Sequence, residues 1–152
     1  MERATLEHTL APWLDGGIHH IGSTAVPGLA AKPIIDMLAG VRDLEEARAA
    51  FAPLVELGYA YRPHRPEAHL FVAPGRGVHL TEPGSDLWRE RLAFRDALRA
   101  SADLRAEYAA WKAAHAGVDR YDADKRPLVL RVLAEQGIAL RPDDERLVRE
   151  AR

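Results

Sequence analysis

Apolar residues recur along this chain with two different periods, and the switches between them outline the elements. Leu6, Leu10, Trp13 and Leu14 share one stripe of a helix predicted over residues 3–14, which Asp15-Gly16-Gly17 stops with a turn. Residues 18–21 predict a short strand, and Gly22-Ser23-Thr24 a tight turn that ends it and caps a following helical turn. Residues 33–41 carry Ile34, Ile35, Met37, Leu38 and Val41, an almost continuous apolar run that suits a strand covered on both faces, with Asp36 as its one charge. Asp43 is the expected cap of an amphipathic helix that closes at Gly58, with a kink at Pro53. Strands follow around residues 59–61, 69–73 and 78–81, the last two joined as a hairpin through Pro74-Gly75-Arg76-Gly77. From Ser85 the period returns to that of a helix: Leu87, Arg91, Phe94 and Leu98 share a stripe. Helices are predicted at 86–99, 102–116 and 123–136, the last capped by Asp122 and followed by Gly137, with Pro127 early enough to be tolerated. Residues 141–152 form a charged peripheral segment.

A sheet in the middle with helices before and after it is an α/β (α+β) pattern, with a C-terminal helical portion from about residue 86. The 152 residues suit one domain, 1–152, with a core of its own, and 47% hydrophobic and 29% charged residues place the chain among globular proteins. The absence of cysteine removes disulfides, thiolate metal sites and a cysteine nucleophile, and agrees with a reducing, cytoplasmic setting. No stretch has the roughly 18 to 20 apolar residues of a membrane span, and the N-terminal residues read as a helix rather than an export signal, so no membrane partner is expected. A net charge of −2 gives no support for binding extended nucleic acid. The oligomeric state is not legible from these features.

Chemistry concentrates between residues 19 and 36. A strand running into Gly22-Ser23-Thr24 offers backbone N–H groups and two hydroxyls to an anion such as a phosphate or carboxylate. On the neighbouring apolar strand an ionised Asp36 is costly unless it meets a cation, a metal or several donors. The bland alternatives are a helix cap at Ser23 and a carboxylate satisfied by loop amides at Asp36. His19, His64, His69 and His115 carry little information as isolated histidines, Trp13, Trp88 and Trp111 sit on apolar stripes that suit the core, and Asp103, Asp119, Asp143 and Asp144 read as solvated.

The run from His20 to Asp36, Ile-Gly-Ser-Thr-Ala-Val-Pro-Gly-Leu-Ala-Ala-Lys-Pro-Ile-Ile between them, resembles the central motif of the GrpB family. Val78-His-Leu-Thr-Glu-Pro-Gly-Ser85, Trp88 and Leu92-Ala-Phe-Arg-Asp-Ala-Leu-Arg99 match a second motif, and residues 108–112 and 121–125 resemble the later helical ones, so the likeness runs from His19 to about Leu133. The resemblance implies a nucleotidyltransferase-like mixed sheet flanked by helices, in which a Gly-Ser turn faces a strand carboxylate. It implies less about activity, since the family is largely uncharacterised and one lineage is fused to an enzyme of coenzyme A synthesis.

Metal-dependent nucleotidyl transfer uses paired carboxylates two residues apart on one strand face. Here Asp36-Met37-Leu38 puts leucine at the second place. The expected site is therefore a mixed one: Asp36 and His79 as catalytic groups, Asp36, His79 and His20 as a metal set for Mg²⁺ or Mn²⁺, with Zn²⁺ open, and Gly22, Ser23, Thr24, Lys32, Arg95 and Lys125 around a nucleotide or small phosphorylated ligand. The alternative is a noncatalytic binding or regulatory module that has lost the two-metal carboxylates.

Overall fold

The apolar run expected to be a buried strand is β2 (Ile35–Val41), and the other elements are arranged about it. The computed structural model describes residues 2–29, 33–116, 121–140 and 144. In chain order the helices are α1 (Glu2–Leu10), α2 (Phe51–Glu56), α3 (Asp86–Ala100), α4 (Ala102–Ala114) and α5 (Tyr121–Glu135), and the strands β1 (Leu14–Ile21), β2, β3 (Ala60–Arg62), β4 (Ala68–Ala73) and β5 (Arg76–Thr81). The sheet order is β1-β2-β5-β4-β3, with β2 and β5 parallel and every other neighbour antiparallel. This is the mixed five-stranded sheet with flanking helices that the sequence predicts.

Alternation along β2 sorts its residues between two layers. Met37, Ala39 and Val41 join Leu6 and Leu10 of α1 and Leu54 of α2 in one core. On the other face Leu38 packs with Ile21, Ala68 and Leu87, so α3 covers that side. A third cluster, Val26, Leu98 and Tyr108, ties the segment after β1 to α3 and α4. Ser85 caps α3 by accepting from Trp88 N at 3.2 Å, and Ser101 caps α4 by accepting from Leu104 N at 3.1 Å. Trp13, Trp88 and Trp111 each pack against one of these clusters, as their stripes suggested. No helix of the described residues is long and apolar enough to cross a membrane.

Five local expectations need correction. The last helix starts at Tyr121, so Asp122 lies inside it instead of capping it, and Pro127 falls past its first turn. The first helix stops at Leu10 instead of 14, because Pro12 denies the next turn a donor and restricts Ala11, so Leu14 starts a strand. Asp15-Gly16-Gly17, expected as a turn, lies inside β1 as a bulge: the register slips between Leu14 and Ile18, and both glycines have φ near 80°. The helix expected from Asp43 is divided into a 3-10 turn (Glu46–Ala50) and α2; Asp43 does cap the turn, accepting from Glu46 N at 2.8 Å. The division places Pro53 in the first turn of α2, where its missing N–H has no intrahelical partner to lose. Asp144, expected in solvent, is 6% exposed and pairs with Arg126 of α5 at 3.0 Å. The rest of the segment 141–152, with Asp143, and also Asp119 and Lys32, lie outside the described residues.

Candidate functional site

Strand register decides which of the candidate residues meet. Asp36 pairs with Ile21 on one side and Gly77 on the other, while Leu38 pairs with His19 and His79. Residues directly opposite share a face, so Asp36, Leu38 and His79 all look toward α3. His20 pairs with Met37, which belongs to the opposite core, and is directed to the turn after β1 instead. Leu38 is fully buried under Leu87. The place of a second carboxylate is thus part of the hydrophobic core.

Gly22-Ser23-Thr24 is built for internal bonding as much as for a ligand. Ser23 to Ala25 form a single 3-10 turn. Thr24 Oγ1 donates its only proton to the Ile34 carbonyl at 2.8 Å, so the 2.8 Å contact with His20 Nε2 has the ring N–H as donor. Ser23 Oγ accepts from Lys112 Nζ of α4 at 2.9 Å. Arg95 and Arg99 of α3 donate to the carbonyls of His20 and Ala25 at 3.3 and 2.9 Å. Arg95 therefore clamps the strand end to α3, with a further ion pair to Asp96. Gly22 backs directly onto the acid: a Cβ there would lie 2.9 Å from Asp36 Oδ2.

Beside this face, α3, α5 and the connection between β3 and β4 enclose a cleft of about 350 Å³ walled by His64, Arg65, Arg91, Phe94, Lys125 and Arg126. Of these, Lys125 alone is among the ligand residues the sequence predicts. Glu90, 7% exposed, is held by Arg65 at 2.7 Å and by both ends of the Arg126 fork at 3.2 and 3.3 Å. Burial pushes the Glu90 carboxyl upward, and the two arginines outweigh it and hold the group below the ordinary glutamate range. Lys125 Nζ sits over the rings of Tyr108 and Phe94 at 5.2 and 5.8 Å.

Arg91 occupies the middle of this wall. It stands one turn after Leu87, and among the described residues it makes neither a hydrogen bond nor an ion pair. Burial first, then the neighbouring Arg65 and Arg126, lower its pKa, against the pull of Glu90 and, more weakly, Asp36. Asp36 itself is raised by burial, against the pull of Arg91, His20 and Lys125. The acid does not line the cleft, but Arg91 and Lys125, which act on it, do.

His79 is 8% exposed, with Nδ1 buried and without a hydrogen-bond partner among the described residues. Its ring lies 4.9 Å from that of His64. Burial, with Arg91 next, drives the His79 pKa down to about 3. His64 is lowered by burial and Arg91, and His20 by burial and Arg99. A consequence for stability follows from the sign. An unfolded histidine takes up a proton near 6.5, native His79 only near 3; between those values the unfolded chain binds more protons, so stability is lost as pH falls below about 6.5. Urea midpoints at about pH 7.5 and 5 should differ for the parent and differ less for His79→Gln; equal slopes in both would contradict a buried neutral ring.

These donors do not fit the expected metal set. Among the described residues no three of His, Asp and Glu gather where they could hold an ion, and His20 belongs to another face than Asp36 and His79. No step is therefore assigned to Mg²⁺, Mn²⁺ or Zn²⁺.

A family model described as GrpB protein matches residues 1–135. The UPF0157 protein SCO7215 of Streptomyces coelicolor is 38% identical over 134 residues, 84% of this chain and 72% of that protein. Of three further curated relatives the chain spans 29% to 64% of the length. A dephospho-CoA kinase of Mycolicibacterium paratuberculosis is 32% identical over 146 residues, 72% of this chain and 36% of that protein. The crystal structure of conserved protein GrpB from Enterococcus faecalis superposes with a TM-score of 0.77 at 27% identity, covering 88% of this chain and 87% of that one. The chain belongs to the GrpB family.

Proposed function

We propose that this GrpB-family chain binds a small phosphorylated ligand, a nucleotide or another phosphate ester, in the cleft between α3, α5 and the β3–β4 connection. The observation that carries this reading is Arg91: a half-buried guanidinium set among Arg65, Lys125 and Arg126, with no ion pair among the described residues, while Glu90, the acid of the same wall, is held by Arg65 and Arg126. A cation is costly to bury beside other cations unless an anion joins it, and a guanidinium fork suits phosphate. Phe94 and Val129 add apolar wall for the rest of such a molecule. Binding without transfer is favoured over nucleotidyl transfer, because Leu38 stands in the core where a second carboxylate would be needed.

Thermal-shift screening of the protein tests this with nucleoside mono-, di- and triphosphates, sugar phosphates and coenzyme A precursors, the last suggested by the kinase relative. A ligand at 100 times its Kd adds about 2.7 kcal/mol, a rise of roughly 5 to 11 °C for a domain of this size. Arg91→Met should abolish the rise while its ligand-free melting point stays at or above the parent's, since repulsion with Arg65 and Arg126 is relieved. If no phosphate ester in the screen raises the melting point, the proposal is wrong.

A further inference from the structure

One wall residue of the cleft can change its charge near neutral pH. His64, an exposed residue of the connection between β3 and β4, lines the cleft with Arg65, Arg91, Lys125 and Arg126. Its ring lies against that of His79 on β5, with centroids 4.9 Å apart, and His79 is buried. The charged groups about it are Arg65 and Glu67 on its own connection, Glu90 and Arg91 on α3, and Lys125 and Arg126 on α5. Glu67 pairs with Arg65, and Glu90 with Arg65 and Arg126. Arginine, lysine and glutamate side chains ordinarily keep one charge between about pH 6 and 8. Glu90 is depressed further, and His79 stays neutral down to about 3. Among the described wall residues, His64 is therefore the one with a proton to gain.

In the empty cleft a fifth cation beside these four would be repelled, and partial burial, then Arg91 and Arg65, hold His64 below its ordinary value. A phosphate dianion among the same cations cancels that repulsion and adds an attraction of its own. The filled and empty clefts then hold different numbers of protons. We infer that His64 is a ligand-binding residue of this cleft: it is neutral when the cleft is empty and, as imidazolium, donates to the bound phosphate, so that the anion enters together with a proton. This deepens the binding reading above and rests on it. The proton comes from water or buffer and goes to the free ring nitrogen, and no covalent bond of the ligand changes. The pair of imidazoles is not a metal site, since among the described residues no third histidine or carboxylate joins them in a group able to hold an ion. His64 is thus an adjustable donor in a wall of fixed charges.

Isothermal titration of the whole chain with inorganic sulfate isolates the histidine, because this tetrahedral dianion has no proton of its own to exchange near neutrality. The parent should bind sulfate about fivefold more tightly at pH 6 than at pH 8, the size that follows when an anion raises a histidine by about one pKa unit. At pH 7, titrations in two buffers of different ionisation enthalpy should show protons taken up on binding. His64→Gln should lose both the pH dependence and the proton uptake. His64→Lys, which fixes a positive charge at the same place, should bind sulfate at pH 8 about as tightly as the parent does at pH 6, and independently of pH. Equal parent affinity at pH 6 and 8, or a dependence that His64→Gln retains, overturns the role of His64 and leaves phosphate binding intact. If sulfate does not bind while a phosphate ester of the thermal screen does, the two-buffer titration at pH 7 is made with that ester. Equal proton uptake by the parent and His64→Gln then overturns the inference, since the ester's own exchange is common to both. If neither sulfate nor any phosphate ester binds, this inference and the binding reading fall together.

Discussion

Gly40→Ala should lower the melting temperature by roughly 6 to 12 °C. A Cβ at this position would lie 1.9 Å from the Asp15 carbonyl oxygen and 3.0 Å from the Trp88 ring. The first of these is backbone, held in the β1 bulge that Gly16 and Gly17 create, so relief requires moving a strand instead of rotating a side chain. Overpacking usually costs about 1 to 3 kcal/mol, and a clash with backbone belongs at the upper end or beyond. At roughly 2 to 4 °C per kcal/mol for a domain of this size, the shift follows. Position 40 is on the face that α3 covers, two residues beyond Leu38, so the displaced strand also disturbs Trp88. Differential scanning calorimetry decides the matter; a melting point within about 2 °C of the parent would mean that the bulge does not close over Gly40.

Glu90→Gln should destabilise the chain by roughly 3 kcal/mol at neutral pH and remove part of its acid sensitivity. Glu90 is a buried carboxylate shared by Arg65 and Arg126, and Arg126 also holds Asp144. Removing the central charge leaves Arg65 and Arg91 beside Arg126 with less compensation, which is the costly way to break a buried network. The pH dependence has a definite sign. Because the native Glu90 pKa is depressed, its contribution is complete above the ordinary glutamate range near about 4.3 and disappears as pH falls through the lower native value. Denaturant midpoints between about pH 7 and 3 should therefore fall less steeply in Glu90→Gln than in the parent. Parallel curves would show that Glu90 is solvated and that the two arginines do not depend on it. The same substitution raises the positive charge of the cleft, so phosphate esters should bind it at least as tightly as they bind the parent.

Much of the fold was legible because it is local. Alternation and near-continuous apolar character located β2, helical spacing located α3 to α5, and Asp43, Ser85 and Ser101 act as caps where short polar residues precede apolar stripes. The misreadings came from competing local rules. Pro12 overrode a stripe that spacing alone carried through Leu14, and paired glycines read as a turn when they served a bulge. At the site, Asp36 is legible as the one charge of an apolar strand, and Leu38 as the residue standing where a second carboxylate would be needed.

The chain by itself determined which segments are strands and helices, which face of β2 carries its acid, and that no second acid follows on that face, since these depend on a period of two or 3.6 residues. Only the tertiary structure decided what that acid meets. His64, Arg65, Arg91 and Arg126 come from three separate segments, and no spacing in the sequence marks them as one cleft. Arg91 shares a stripe with Leu87 and Leu98, yet it lies in the wall of the cleft and makes no ion pair among the described residues. Thr24 looked like a ligand for phosphate and instead joins His20 to Ile34, because a hydroxyl takes whichever partners the folded backbone brings within reach.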